Sequence, residues 1–160
     1  VANTNNPNGF KAVKLLGGGH AGFPVFTGLT KSNLALSPGD AIIMLTNSTL
    51  DKAVVGSAAI LGVCQSLVTA VAATRKAITY IPAMDGIVWS GQFGKDMSAA
   101  NPNWGTSYDI NGATGVMLLT NATGQGVARV LMLEPGLDNA AGAYNRVLFV
   151  WNKSQWSGQA

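Results

Sequence analysis

Charge is the scarcest property of this chain. Asp, Glu, Lys and Arg together make up 11% of its 160 residues, against roughly a quarter in ordinary soluble proteins. Apolar content is ordinary at 48%, so Asn, Gln, Ser, Thr and Gly stand where a free monomer would carry Lys and Glu. A surface so poor in charge resists association weakly, and the chain is expected to work in company. Cysteine is nearly absent too. The single Cys64 excludes an intramolecular disulfide, and one domain of this length can bury a core without one. Cys64 sits in an apolar run with no nearby His or Lys to lower its pKa, so it reads as a small buried hydrophobe. A chain without disulfides fits assembly in a reducing compartment. No secretory signal opens the sequence and no apolar run reaches about 18 residues, which argues against a membrane as partner.

Catalytic chemistry is equally thin. The sole histidine, His20, lies in the glycine loop 17–22. A nucleophile–histidine–carboxylate triad needs a base oriented on a rigid element, and no G-x-S-x-G elbow accompanies it. The loop itself fits G-x-G-x-x-G in form. A dinucleotide site needs a helix opening at the last glycine, yet Phe23-Pro24-Val25-Phe26-Thr27 follows, which is strand chemistry. A hinge is the favoured reading. One His, one Cys and scattered acids offer no metal-ligand spacing. Most of the acids, Glu134 among them, stand beside Gly, Pro or Asn, where carboxylates serve turns. As a pair across a cleft Asp109 and Glu134 would need a separation of about 5–10 Å; turn duty explains both. No enzyme, cofactor or metal is expected.

The formal net charge is +3, unevenly placed. Lys11, Lys14 and Lys31 precede the first acid, Asp40, so the N-terminal quarter is positive. Nucleic-acid binders cluster Lys and Arg and interleave aromatics; here the cations are scattered singly apart from Arg75-Lys76. An acidic protein partner for a basic arm is the better reading, with no nucleic acid. Trp89 and Trp151 lie inside strand patterns and are expected in the core. Trp104 and Trp156, in loop and tail, are better interface candidates.

What the chain does have is strand and turn chemistry. Residues 116–119, 127–133 and 146–151 are apolar or alternating runs separated by Gly, Asn and Asp clusters. Earlier strands are expected at 24–27, at 41–46 behind the turn Ser37-Pro38-Gly39-Asp40, and at 58–65. Segments 76–82 and 87–93 flank Ala83-Met84-Asp85-Gly86, whose Asp-Gly pair signals a hairpin. Residues 66–73 read as strand, loop or one short helix. Residues 94–104 form a polar loop. Residues 1–20 read as an arm, because 1–9 have no apolar period and the stretch as a whole has too little apolar surface to fold by itself. The body, 21–160, is expected to be a single all-β domain, an antiparallel barrel or sandwich.

Three stretches carry a family resemblance: Ala2-Asn3-Thr4-Asn5-Asn6-Pro7-Asn8-Gly9 followed by Phe10-Lys11-Ala12-Val13; Gly105-Thr106-Ser107-Tyr108-Asp109-Ile110 with the runs at 115–119 and 126–131; and Glu134-Pro135-Gly136-Leu137-Asp138-Asn139 through Tyr144-Asn145-Arg146 to Asn152. Together they resemble the head-decoration (cement) proteins of tailed bacteriophages. The resemblance implies an extended N-terminal arm on a compact β-barrel or β-tulip body. It implies a non-enzymatic virion protein on the outer capsid surface, commonly trimeric, with the major capsid protein and its own copies as partners. On that basis Asn3, Asn5, Phe10, Lys11 and Lys14 are expected to attach to the capsid, and Trp104 and Tyr108 to pack the trimer. The alternative is an adhesive or carbohydrate-binding β domain displayed on a virion or cell surface, using Trp104 or Trp156.

Overall fold

The computed structural model describes residues 7–17, 22–94, 104–120, 125–136, 139 and 144–156. Among these the chain is all β. Its strands are β1 (Lys11–Leu15), β2 (Phe26–Leu29), β3 (Ala41–Met44), β4 (Leu50–Lys52), β5 (Gly62–Cys64), β6 (Ala77–Pro82), β7 (Ile87–Gln92), β8 (Ser107–Tyr108), β9 (Ile110–Asn111), β10 (Leu118–Leu119), β11 (Ala128–Leu133) and β12 (Arg146–Trp151). They form two five-stranded sheets, β1-β7-β12-β11-β8 and β2-β6-β5-β3-β4, and a two-stranded ladder, β10-β9. Every strand pairing is antiparallel.

The two large sheets share one buried cluster. The first contributes Ala12, Trp89, Val130, Val147, Phe149 and Trp151, and the second contributes Ala41, Val63 and Ile81. The second sheet is apolar on its other face as well. There Ile42, Leu50, Cys64, Ile78 and Tyr80 form a separate cluster with Leu34, Leu36 and Val68 from connecting segments. Burial on both faces explains why 41–44 and 60–64 read as continuous apolar runs rather than alternating ones.

The second sheet also curls. Thr30, just beyond β2, donates its N–H to Lys76 O at 2.9 Å on one side. On the other it forms a parallel bridge with Leu50 of β4, and Lys31 N donates to Leu50 O at 2.8 Å. The two edges of the sheet therefore meet at this point. Gly28 makes room for it, since a Cβ there would lie 2.6 Å from Leu50 Cδ1.

Several sequence expectations change. The strands at 41–46, 76–82, 87–93, 127–133 and 146–151 are present with small shifts of end. The first strand of the second sheet lies at Phe26–Leu29 rather than 24–27, and the strand expected at 58–65 is reduced to Gly62–Cys64. Residues 66–73 hold no helix; Val68 makes a single antiparallel bridge to Leu36. The 76–82/87–93 hairpin is overturned. β6 and β7 lie in different sheets, β6 between β2 and β5 and β7 between β1 and β12. The Asp85-Gly86 turn, with Gly86 at φ 86°, is a corner carrying the chain across the core. Both strands are largely buried, so each gains more by taking a partner in its own layer.

Residues 10–15 are the other correction. They were expected to order only against a partner, yet β1 is an edge strand of this chain's own first sheet, paired with β7. Its start is pinned where two backbones touch: Phe10 N donates to Gly39 O at 2.8 Å, and a Cβ on Gly9, at φ +78°, would lie 2.6 Å from Gly39 C. At the other end of the chain, residues 153–156 cross between the sheets. Ile60 N donates to Lys153 O, and Gln155 N to Ile60 O, each at 3.0 Å.

Candidate partner-binding face

Strand register decides which side chains share the outer face of the first sheet. Lys11 stands opposite Ser90, Ser90 opposite Leu148, and Leu148 opposite Met132, making one row across four strands. Lys14 is opposite Val88, Arg129 opposite Val150, and Arg146 opposite Gln92. Side chains alternate across a pleated sheet, so this face lies opposite the buried row of Ala12, Trp89 and Phe149. Register slips at Val13 and Leu131 turn two extra side chains toward solvent. Val13, Leu131 and Met132 are exposed, as are Lys11, Lys14 and Arg129.

The centre of the face is closed. Ser90, Val88, Gln92 and Leu148 are all buried. Glu134 Oε2 accepts from Ser90 Oγ at 2.8 Å and from Arg146 Nε at 2.7 Å, while an Arg146 terminal nitrogen donates to Ser90 Oγ at 2.9 Å. Asn139 completes the set. Its Nδ2 donates to Glu134 O and Arg146 O, and its Oδ1 accepts from Arg146 N, each at 2.7 Å. Glu134, Asn139 and Arg146 thus tie the end of β11 to the start of β12.

Other acids are consumed inside the fold. Asp40, fully buried, accepts from Ser37 N at 2.9 Å and from Gly115 N at 2.7 Å. Burial pushes its carboxyl above the usual range, partly offset by those two hydrogen bonds and by the positive charge of Lys52. Asp109 accepts from Gly126 N at 2.8 Å and from Gln125 N at 3.0 Å. Asp51 pairs with Lys31 at 2.6 Å. Among the described acids, Asp85 alone is exposed without such a partner, in the turn that adjoins the Leu15 end of the β1–β7 pair. Lys11 and Lys14 have no ion pair among the described residues. Among the described residues, unpaired basic charge therefore reaches the surface on this sheet while most acids are buried or paired.

The expected site residues separate into groups. Lys11 and Lys14 share the outer face. Phe10 does not join them: it is 2% exposed and packs edge-on to Phe149 and Trp151, with ring centroids 5.5 and 5.3 Å away. Its place is this chain's core, because pleating sends it and Lys11 to opposite faces. Tyr108 is likewise buried, edge-on to Phe93 at 4.9 Å, so its ring is not at the surface to pack a second copy. Trp104 is exposed beside Gly105, whose N–H donates to Val130 O at 2.8 Å. Asn3, Asn5 and His20 lie outside the described residues. Arg129 and Arg146 were not foreseen on this face, since only the strand register brings them there.

Trp156 lines a shallow apolar groove with Met44, Leu45, Thr46, Leu61 and Gln155. Its polar edge is already used: Nε1 donates to Leu61 O at 2.6 Å, and the ring lies 5.2 Å from that of Phe26. Cys64 is buried, and burial pushes its thiol up to about 11. Among the described residues no group of three or more His, Cys, Asp or Glu could hold a metal ion, and no helix is long and apolar enough to cross a membrane. The chain matches no protein-family model and no curated protein.

Proposed function

We propose that this chain is a structural, non-enzymatic protein of a tailed-phage virion, which binds the outside of the assembled head and cements neighbouring capsomers. The resemblance of its three motif stretches to head-decoration proteins is the starting point. One structural observation supports the reading: of the described acids only Asp85 has no internal partner, and the single cysteine is buried. Asp40 and Asp109 hold backbone N–H groups, Glu134 is locked to Ser90 and Arg146, and Cys64 is buried. That distribution supports a role in surface recognition.

The physics of cementing is linkage. A protein that binds only the assembled shell stabilises that shell by mass action. Copies joined in a trimer gain effective concentration at each further contact, so individual feet can be weak. Co-sedimentation with undecorated heads tests the reading. The protein should pellet with heads and stay in solution with free capsid subunits. Equal recovery in the supernatant with and without heads contradicts it.

A further inference from the structure

We infer that the outer face of the first sheet is the docking surface, and that its occupant is an acidic protein surface. This rests on the virion reading above and specifies which part of the body makes contact. The face presents Lys11, Val13 and Lys14 from its edge strand and Arg129, Leu131 and Met132 from β11. Cations interleaved with exposed apolar side chains around a closed centre are what a protein partner meets. Arg and Met are favoured at such contacts, and charge complementarity fixes orientation and speeds encounter.

The choice of an acidic occupant follows from the imbalance of charge. Among the described residues Glu134 is the acid on this face, and its carboxylate is held by Arg146 and Ser90. Lys11 and Lys14 are left without an internal counter-charge among the described residues. Contact is made by side chains rather than by an added strand. The edge strand carries two lysines and a bulge at Val13, the devices by which a sheet edge resists pairing. A nucleic acid would also supply negative charge. The bulges, however, place Val13, Leu131 and Met132 between the cations, and those side chains have nothing to bury against a phosphate backbone.

The test compares Lys11→Glu/Lys14→Glu with Arg75→Glu/Lys76→Glu. The second pair lies beyond the second sheet, and both variants carry the same net charge. Thermal unfolding of each checks that the fold is retained. In co-sedimentation with undecorated heads, the first variant should bind at least about tenfold more weakly than the second, and wild-type binding should weaken as salt rises. Equal binding by the two folded variants overturns the inference and leaves the virion reading standing. If the wild type does not bind heads, the virion reading fails and the face is judged on a poly-glutamate column. Later elution of the Arg75/Lys76 variant than of the Lys11/Lys14 variant then supports the face, and co-elution overturns it. Retention of the wild type on duplex DNA equal to that on poly-glutamate overturns the protein occupant.

Discussion

The side-chain amide of Asn139 pairs with the backbone of Arg146 as a neighbouring strand would, accepting from its N–H and donating to its carbonyl, both at 2.7 Å. Gln155 does the same for Met44 of β3, with Oε1 accepting from Met44 N at 2.7 Å and Nε2 donating to Met44 O at 3.1 Å. In a chain poor in charge, amide side chains finish strand ends without adding Lys or Glu. Asn139 also donates to Glu134 O at 2.7 Å, so it joins both ends of the β11–β12 connection.

Asn139→Ala removes all of these bonds together. It should destabilise the protein by about 1–3 kcal/mol, the range for leaving partly buried polar groups unpaired, read as a lower urea midpoint. Asn139→Asp keeps the acceptor for Arg146 N but sets a carboxylate oxygen against the Glu134 and Arg146 carbonyls, so it should be no more stable than Asn139→Ala. An Asn139→Ala midpoint equal to wild type would show that the pairing contributes nothing.

Phe10→Ala separates a core role from a contact role. The ring packs on Phe149 and Trp151, and its loss should destabilise the isolated protein by about 3–5 kcal/mol. Lys11→Glu and Lys14→Glu, on the opposite face, should each change stability by less than about 0.5 kcal/mol. Unfolding of the purified variants, with no partner present, reads the difference.

Asp40 makes stability depend on pH in an unusual direction for a carboxylate. Its folded pKa is raised, chiefly by burial. The contribution is therefore fully present below the unfolded value of 3.8 and is lost as pH rises through the folded value. Asp40→Asn has no such titration. As pH rises from about 4 toward 7, the wild-type urea midpoint should fall relative to that of the variant. A relative gain by the wild type would reverse the assigned sign.

Cys64 should be silent to thiol reagents in the native protein at mildly alkaline pH. Its side chain is buried, its thiol is pushed up to about 11, and Sγ donates to Ser66 O at 3.2 Å. The thiolate is the reactive species, so labelling should proceed only in denaturant. Rapid native labelling would place the residue at the surface instead.

Local chemistry was legible where it was self-contained. The strands Ala128–Leu133 and Arg146–Trp151, the core positions of Trp89 and Trp151, and the burial of Cys64 all follow from runs of residues read along the chain. Partner choice was not. Asp85-Gly86 carries the signal of a tight hairpin, yet the same turn can bend a chain between layers, and only competition among distant strands decides which. Phe10 beside Lys11 reads as one contact patch in sequence, whereas strand pleating sends the two to opposite faces. Arg129 joins Lys11 and Lys14 through cross-strand pairings that no single segment encodes. The two-residue strands β8 and β9 are too short to leave any periodicity, whereas β10 lies inside the run read at 116–119.

The central claim is that the protein holds an assembled shell together, and the most direct measurement is the temperature at which packaged heads release their DNA. Heads lacking this protein, once incubated with it, should hold their DNA to a higher temperature, and the gain should saturate as binding saturates. Release at an unchanged temperature, on heads shown to be fully coated, would contradict the account.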